Sequence, residues 1–335
     1  MLHNWRHKFK DNRRGYYSLW LLGAIFFVSL FAEFIANDKP IILRFEDKIY
    51  FPIFQNITEK ELGGIFETAA DFRDIEVQKL IAGNPQNFAI WSLIKFSYDT
   101  INYQIAKPAP TKPNAKNWLG TDDQGRDVLA RVIYGVRISL IFGLILTCLS
   151  LIIAIFLGAI QGFFGGKVDI FMQRFIEIWS SMPVLFLLII LSSIIIPSFF
   201  SLLFLLLLFS WISLSSIIRA EFLRLKNFDF VMSAKAMGAG NFRIIFRHIL
   251  PNASPLIIAN LAFLLSGSII TLTSLDFLGL GMPLGSPSLG ELLAQGKNNI
   301  NAYHLGITGF VVISMILTTL IFIGEALRDA FDSRN

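Results

Sequence analysis

The chain has 335 residues, of which 54% are hydrophobic and only 16% are charged, a composition that excludes an ordinary soluble protein. With a mean hydropathy of +0.60, the chain is predicted to be a polytopic membrane protein. Its formal net charge of +5 comes mainly from the N-terminus and a central loop, as expected of segments that face anionic lipid, and no nucleic-acid partner is predicted. A single cysteine, Cys148, excludes a disulfide or a cysteine metal site within one chain.

The N-terminal third contains one apolar run followed by a long polar segment. Residues 1–36 predict a cytoplasmic N-terminus and a first transmembrane helix, because basic residues precede an apolar run at residues 17–36 that is about as long as the 20 residues needed to cross a bilayer. Ten basic and ten acidic side chains follow within residues 37–117. Such a balance is typical of a solvated, partly folded segment, so residues 37–137 are predicted to form an extracytoplasmic insertion.

A polar segment leads from this insertion into the second apolar run. Residues 117–140 read NWLGTDDQGRDVLARVIYGVRISL. Gly120 and Gly125 permit turns, and Thr121 or Asp122 is predicted to cap the helix that follows. The apolar face of that helix is predicted to contain Val128, Leu129, Val132 and Ile133.

The remaining apolar runs predict five more transmembrane helices, within residues 138–328, before a cytoplasmic tail at residues 329–335. These runs are residues 138–160, two within the charge-free residues 178–218, residues 256–275 and residues 305–324. A turn around Pro197, at residues 196–198, is predicted to separate the two charge-free runs, and Arg174 and Glu177 are spaced to pair on one helix face. The predicted fold class is an all-α polytopic membrane protein of six helices with both termini in the cytoplasm, which satisfies backbone hydrogen bonds internally.

A basic central loop, residues 219–255, interrupts the apolar runs. It carries six Lys or Arg against two acidic residues, which predicts a cytoplasmic location. Within it, Phe242, Ile245, Phe246 and Ile249 recur at helical spacing, while Arg243 and Arg247 share a neighbouring face. We therefore predict a short amphipathic helix that is stopped by Pro251. Ahead of it, Ala234 and Gly238 are small residues one helical turn apart, which would let another protein approach the backbone closely. An ordinary helix at the membrane surface is the alternative interpretation.

Both polar segments resemble signatures of bacterial ABC importer permeases. Ser233, Ala234, Gly238 and the ending from His248 to Pro251 resemble the loop E-A-A-x3-G-x9-I-x-L-P, with Met232 at the usual acidic position and His248 in place of Ile. Residues 117–140 closely resemble a signature of one permease of the dipeptide, oligopeptide and nickel importers.

This resemblance implies the type I ABC importer permease fold in the bacterial inner membrane. It implies as partners a second, homologous permease, two ATPase subunits and an extracytoplasmic substrate-binding protein. It also implies that the central loop couples to the ATPase. The residues expected to act there are Ala234, Gly238, Phe242, Arg243, Phe246, Arg247, His248 and Pro251.

A third segment, residues 273–281, resembles the family ending S-F-L-G-L-G. Asp276 takes the usual Ser position, and Leu272 stands where many relatives carry Glu. These exchanges and residues 283–291 are similar to the subgroup that imports longer peptides and the peptide-nucleotide antibiotic microcin C. Asp276 is a candidate contact for a peptide's amino terminus at the outer mouth, and the alternative is an interfacial carboxylate that stays solvated.

The chain lacks a recognisable phosphate loop. The glycine-rich residues 161–169 begin with Gln161 where a Gly would stand, and Lys167 precedes Val168 rather than Ser or Thr. We therefore expect a transport subunit that is not an enzyme and binds no cofactor itself, with ATP and Mg on a partner ATPase. Oligopeptides, microcin C included, are the expected cargo, and dipeptides or nickel are the alternative. A stand-alone secondary transporter is disfavoured because most of the predicted helices lack the mid-membrane ionisable residues of such carriers, and the long docking-like loop disfavours a purely structural membrane protein.

Overall fold

The structure is a computed structural model that describes residues 5–46, 48–105, 107–194, 197–283 and 285–331. Within these ranges the chain forms thirteen α-helices, three β-strands, a 3-10 turn at Glu59–Leu62 and a π-helical turn at Ile244–Ile249. The helices are α1 (Trp5–Asp11), α2 (Arg13–Leu30), α3 (Ala32–Ile35), α4 (Ile75–Ala82), α5 (Val128–Phe164), α6 (Gly166–Ser180), α7 (Val184–Ile194), α8 (Phe199–Leu225), α9 (Asp229–Ala236), α10 (Asn241–Arg243), α11 (Leu250–Phe277), α12 (Leu289–Asn298) and α13 (Tyr303–Phe331). The strands are β1 (Ile42–Phe45), β2 (Lys48–Tyr50) and β3 (Phe88–Ile90).

The chain divides into two compact units. The first unit consists of Met1–Ala24, Ser139–Leu284 and Ile313–Asn335, and the second of Ile25–Ile138 and Gly285–Val312.

Four helical stretches of the described chain are long and apolar enough to cross a membrane. They are α5, α8, the continuous stretch Asn241–Phe277 and α13. The pair α6 and α7 adds a fifth if the two helices, bent by 62°, form one span. The predicted first span at residues 17–36 is divided between α2 and α3 by a break at Phe31. The protein is therefore a multi-pass membrane protein with four or five candidate spans, and the count of six stays a prediction.

The charge-free stretch contains a bend that the sequence prediction missed. Helix α7 begins at Val184, directly after Pro183, whose ring and missing N–H prevent α6 from continuing. The predicted turn further along is confirmed at Pro197 and Ser198, whereas Ile196 lies outside the described residues. Ser198 caps α8, because its hydroxyl accepts from the backbone N–H of Ser201.

The predicted pair on α6 is confirmed. Arg174 Nη1 lies 2.6 Å from Glu177 Oε2, and both side chains are exposed. An exposed pair of this kind contributes little to stability.

Helices α5 and α8 approach each other closely in the first unit. A Cβ atom on Gly158 would lie 2.7 Å from the backbone oxygen of Ser215, and one on Gly162 would lie 2.5 Å from the Cβ of Phe222. Any side chain at either glycine would therefore push the two helices apart. Phe222 and Ile218 of α8 are fully buried in the core that this approach forms.

The second unit contains a small β-sheet, so the all-α prediction is wrong. The strand order is β2-β1-β3, and both pairings are antiparallel, with Arg44 opposite Ile49 and Phe88. Strand β1 contributes to a separate apolar core that includes Leu43, Leu62 and Phe72. The sequence prediction failed here because these strands are only three or four residues long, too short for a clear alternating pattern.

Helix α5 is capped by Asp127, and not by Thr121 or Asp122 as predicted. Asp127 Oδ1 accepts from the backbone N–H of Ala130 at 2.8 Å, and Oδ2 accepts from Asn117 Nδ2 at 2.8 Å. Burial raises the pKa of the Asp127 carboxyl, and these hydrogen bonds oppose the increase. The predicted apolar face is confirmed, because Val128 and Val132 are buried and Leu129 and Ile133 are partly buried.

Asp122 instead belongs to a buried ion network in the second unit. Arg126 Nε lies 2.6 Å from Asp122 Oδ2, and Arg126 Nη2 lies 3.2 Å from Glu291 Oε1. Arg131 is only 1% exposed. Its Nη2 lies 2.9 Å from Glu291 Oε2 and donates to the backbone oxygen of Ser286 at 2.9 Å. The network ties the start of α5 to the start of α12.

Candidate coupling site

The central loop leaves α8 and passes through a short helix before it turns. Helix α9 ends at Ala236, and Gly238 follows in the left-handed region with a φ of +82°. The backbone N–H of Ala239 donates to the oxygen of Ala234 at 3.0 Å and closes this end. Gly238 suits the position because a residue with a Cβ is disfavoured at positive φ.

The two small residues of the loop therefore occupy different environments. Ala234 is buried inside the first unit, where it allows α9 to pack closely. Gly238 is exposed, and a Cβ placed on it would meet nothing within 4 Å. The prediction that both lie on one continuous helical turn is wrong, since α9 ends between them.

The predicted apolar stripe is split by the π-helical turn. Ile245 and Ile249 are buried in the core of the first unit, with Ile249 at 0% exposure. Phe242 is 75% exposed, and Phe246 is also exposed. A π-helical turn bonds i to i+5 instead of i to i+4, so side chains spaced for one α-helical face separate here. The sequence pattern assumed an α-helix and could not indicate this split.

Pro251 does not stop the helix, contrary to the prediction. Asn241–Phe277 runs as one continuous helical stretch, and Pro251 lies in the first turn of α11. The N–H of Leu250 donates to the oxygen of Ile245, five residues back. This wider turn lies just before the proline, whose missing N–H would break the regular α-helical pattern. Asn252 Nδ2 donates to the oxygen of His248 at 2.7 Å and satisfies one of the carbonyls there.

Two cations accompany the exposed aromatic pair. Arg243 and Arg247 are exposed, and neither forms an ion pair within the part of the chain that the structure describes. His248 is half-buried. The rings of Phe242 and Phe246 contact each other, with centroids 4.4 Å apart. Each arginine therefore directly follows one of the two exposed phenylalanines in the sequence.

Two methionines of the same loop are also exposed, and the sequence prediction does not assign them to the site. Met237 is 81% exposed, and Met232 is also exposed. Flexible methionines are common on surfaces that bind other proteins. The sequence feature that could have indicated them is the presence of apolar residues within a basic, polar loop. We call Met232, Met237, Phe242, Arg243, Phe246 and Arg247 the coupling surface.

Asp276, the other candidate residue, lies at the end of α11. Its side chain is 8% exposed, and Oδ1 accepts from the backbone N–H of Met282 at 2.7 Å. A Cβ on Gly281 would lie 2.7 Å from the Asp276 backbone nitrogen. The carboxylate therefore stabilises the turn that follows α11.

Residues 150–335 match the family described as binding-protein-dependent transport system inner membrane component. The chain belongs to this family. Its members are transport components, so the chain is a permease subunit and not an enzyme.

Individual relatives in this family are similar over most of the chain. The inner membrane ABC transporter permease protein YejE of Escherichia coli (strain K12) is 51% identical over 325 residues, covering 97% of this chain and 95% of the relative. The peptidoglycan transport system permease protein YejE of Agrobacterium fabrum is 51% identical over 350 residues, covering 97% and 91%. The oligopeptide transport system permease protein OppC of Bacillus subtilis is 32% identical over 243 residues, covering 72% and 78%.

Proposed function

We propose that this permease imports oligopeptides or peptide-like compounds into the cytoplasm, powered by ATP hydrolysis on a separate subunit. The relatives named for peptidoglycan, oligopeptide and dipeptide transport support this cargo. The resemblance of residues 272–291 to the subgroup that imports longer peptides places microcin C among the candidate cargoes. The partners are a second permease, ABC ATPase subunits that bind ATP and Mg, and an extracytoplasmic binding protein.

The topology we propose has six membrane crossings in the bacterial inner membrane. Helices α2 and α3 together form the first crossing, and α6 with α7 forms the third. Both termini and the coupling surface then lie in the cytoplasm, in agreement with the basic residues of the N-terminus, the central loop and the tail. The insertion at residues 37–137 lies outside the cytoplasm.

The coupling surface is the observation that carries this proposal. An aromatic pair and two methionines remain exposed in the described chain, and burying such groups against a partner is strongly favourable. Arg243 and Arg247 can pair with acidic groups on that partner. The surface is continuous in sequence with α11, which begins one residue after the π-helical turn. Movement of a bound ATPase would therefore be transmitted directly to a membrane helix.

ATP-dependent peptide uptake by the complete transporter in proteoliposomes tests the proposal. We expect Phe242→Asp to abolish uptake, because a charge replaces the exposed ring, while the permease still inserts and assembles with its permease partner. Phe66→Asp is the matched control, since Phe66 is a similarly exposed phenylalanine in the second unit. Normal uptake by Phe242→Asp would reject the coupling role. Absence of uptake by the unaltered transporter for every peptide tested would reject the cargo.

A further inference from the structure

The second unit contains a basic cavity that the coupling mechanism does not use. It measures about 760 Å³, and its lining includes Arg73, Lys95, Lys116, Trp91, Trp118 and Asp127. This volume lies within the range of about 300–1,000 Å³ that is typical of small-molecule sites. Three cations against one carboxylate favour an anionic occupant.

None of the three cations of this cavity forms an ion pair within the described residues, although Asp71 and Asp38 interact electrostatically with Arg73. Lys95 Nζ lies 5.4 Å from the centroid of the Trp91 ring, and Lys116 Nζ donates to Gln104 Oε1 at 3.4 Å. Arg73 stacks on Phe96 at 4.2 Å, and its Nη1 is buried without a hydrogen-bond partner in the described part of the chain. Burial lowers the pKa of the Arg73 guanidinium. A buried donor without a partner is costly, so an acceptor from a ligand would stabilise it.

A second cavity of opposite charge adjoins the first. It measures about 660 Å³, and its lining includes Asp38, Asp71, Asp74, Asp99 and Lys39. Arg73 and Gln104 line both cavities. All the lining residues lie within the second unit. The two cavities therefore share a wall, with excess positive charge on one side and excess negative charge on the other.

Some carboxylates of the second cavity accept hydrogen bonds from neighbouring residues, but their negative charge is not neutralised by an ion pair in the described chain. Asp74 caps α4 through the N–H of Glu76 at 2.8 Å, and Asp38 Oδ2 accepts from Thr100 Oγ1 at 2.9 Å. None of the four carboxylates forms an ion pair within the described residues. The side chain of Asp99 is exposed, so it can meet a cation that enters the cavity.

We propose that these adjoining cavities bind one small peptide by its two charged ends, the carboxylate in the basic cavity and the ammonium group in the acidic cavity. The aromatic side chains Trp91 and Trp118 then contact its apolar side chains. The choice of a peptide as the zwitterion rests on the proposed function. A loop of a partner protein would fit a flat charged surface better than two concave cavities, so the small ligand is favoured.

Calorimetric titration of the full chain in nanodiscs tests this assignment. The probes are the tripeptide Ala-Phe-Ala with free ends, the same peptide as a C-terminal amide, and the same peptide N-acetylated. Each blocked peptide should bind about tenfold more weakly, as expected from the loss of one hydrogen bond to a charged group. Equal binding of all three peptides, or no binding at millimolar concentration, would overturn the proposal.

Variants assign each end to its cavity. The double variant Lys95→Gln, Lys116→Gln should lower affinity for the free peptide to that of the amide and leave binding of the amide unchanged. Asp99→Asn should lower affinity for the free peptide to that of the N-acetyl peptide and leave binding of the N-acetyl peptide unchanged. Lys48→Gln is the matched control, because Lys48 is an exposed lysine of β2 that lines neither cavity. All replaced side chains are exposed, so the variants should keep the melting temperature of the unaltered chain.

Peptide uptake by the complete transporter separates the two proposals. Uptake without binding to the nanodisc chain would overturn the cavity assignment and leave the proposed function standing. Binding of free but not blocked peptides without uptake would overturn the proposed cargo and leave the cavities as a peptide site. Variants that weaken association with a substrate-binding protein, with peptide affinity unchanged, would assign the cavities to that protein instead and overturn the inference.

Discussion

The coupling surface exposes apolar side chains, whereas the ion network of the second unit buries charged ones. Both regions depart from the usual distribution, in which apolar side chains are buried and charged side chains are exposed. On the coupling surface, Phe242 and Met237 are apolar and exposed. In the ion network, Asp122 and Arg131 are charged and almost fully buried. The network residues pair with one another and with nearby backbone carbonyls. One atom, Arg131 Nε, has no hydrogen-bond partner in the described chain and lies 3.4 Å from Asp122 Oδ2. The coupling surface has no comparable partner within the described chain.

This difference separates side chains that specify the fold from side chains that await a partner. A buried charge is tolerated only when it is paired and hydrogen-bonded, so the network must form as the second unit folds. An exposed aromatic ring costs the isolated fold little, so the coupling surface can be altered without unfolding the chain. Substitutions in the two regions should therefore affect different measurements.

The largest effect is expected from Arg131→Met. The variant keeps much of the volume but removes the 2.9 Å ion pair with Glu291 and the 3.4 Å contact with Asp122, and breaking a buried pair costs about 3–5 kcal/mol. We expect a clear fall in melting temperature in detergent and a loss of assembled permease. Arg174→Met is the matched control, because its ion pair with Glu177 is exposed and contributes about 0–1 kcal/mol. Equal melting temperatures for the two variants would contradict the structural role of the network.

A second pair of variants compares a buried and an exposed residue of the predicted apolar stripe in the central loop. Ile249→Ala removes a fully buried side chain and should destabilise the chain by about 2–5 kcal/mol. Phe242→Ala should leave the free energy of unfolding within about 0.5 kcal/mol of that of the unaltered chain, yet weaken ATPase binding by about 2 kcal/mol. Thermal denaturation and ATPase pull-down measure the two effects. The split would be refuted by a Phe242→Ala variant that loses stability and binding together.

A smaller effect is expected at the turn between α9 and α10. Gly238→Ala forces a Cβ into the left-handed region, which costs about 1–2 kcal/mol, although the space around Gly238 is open. Gly238→Asn should cost less, because Asn tolerates this conformation better. Thermal denaturation of the two variants is the measurement. If both kept full stability, the positive φ would not be the reason for glycine at this position.

Local features of the fold could be predicted from the sequence, and features that depend on distant residues could not. The turn at Pro197 and the Arg174–Glu177 pair depend on neighbours in the chain, and both are confirmed. The ion network joins Arg131 to Glu291 across 160 residues, so no local pattern indicates it. Pro183 is also a local signal, for the bend between α6 and α7, but the sequence prediction places no break there.

The candidate site shows the same limit. The basic loop and its candidate residues could be selected from the sequence and its resemblance, but the π-helical turn could not. Because that turn changes the helical repeat, it places Ile245 in the core and Phe246 at the surface. The methionines of the coupling surface also could not be separated from core residues until their exposure was known.

Site-specific photocrosslinking tests the central claim most directly. A benzoylphenylalanine is placed at Phe242 in one variant and at Ile245 in another, and each is irradiated in the assembled transporter in native membranes. The coupling account predicts a covalent adduct with the ATPase subunit from position 242, and only adducts within the chain from the buried position 245. An ATPase adduct absent from position 242, in membranes where the transporter still hydrolyses ATP during uptake, would contradict the account.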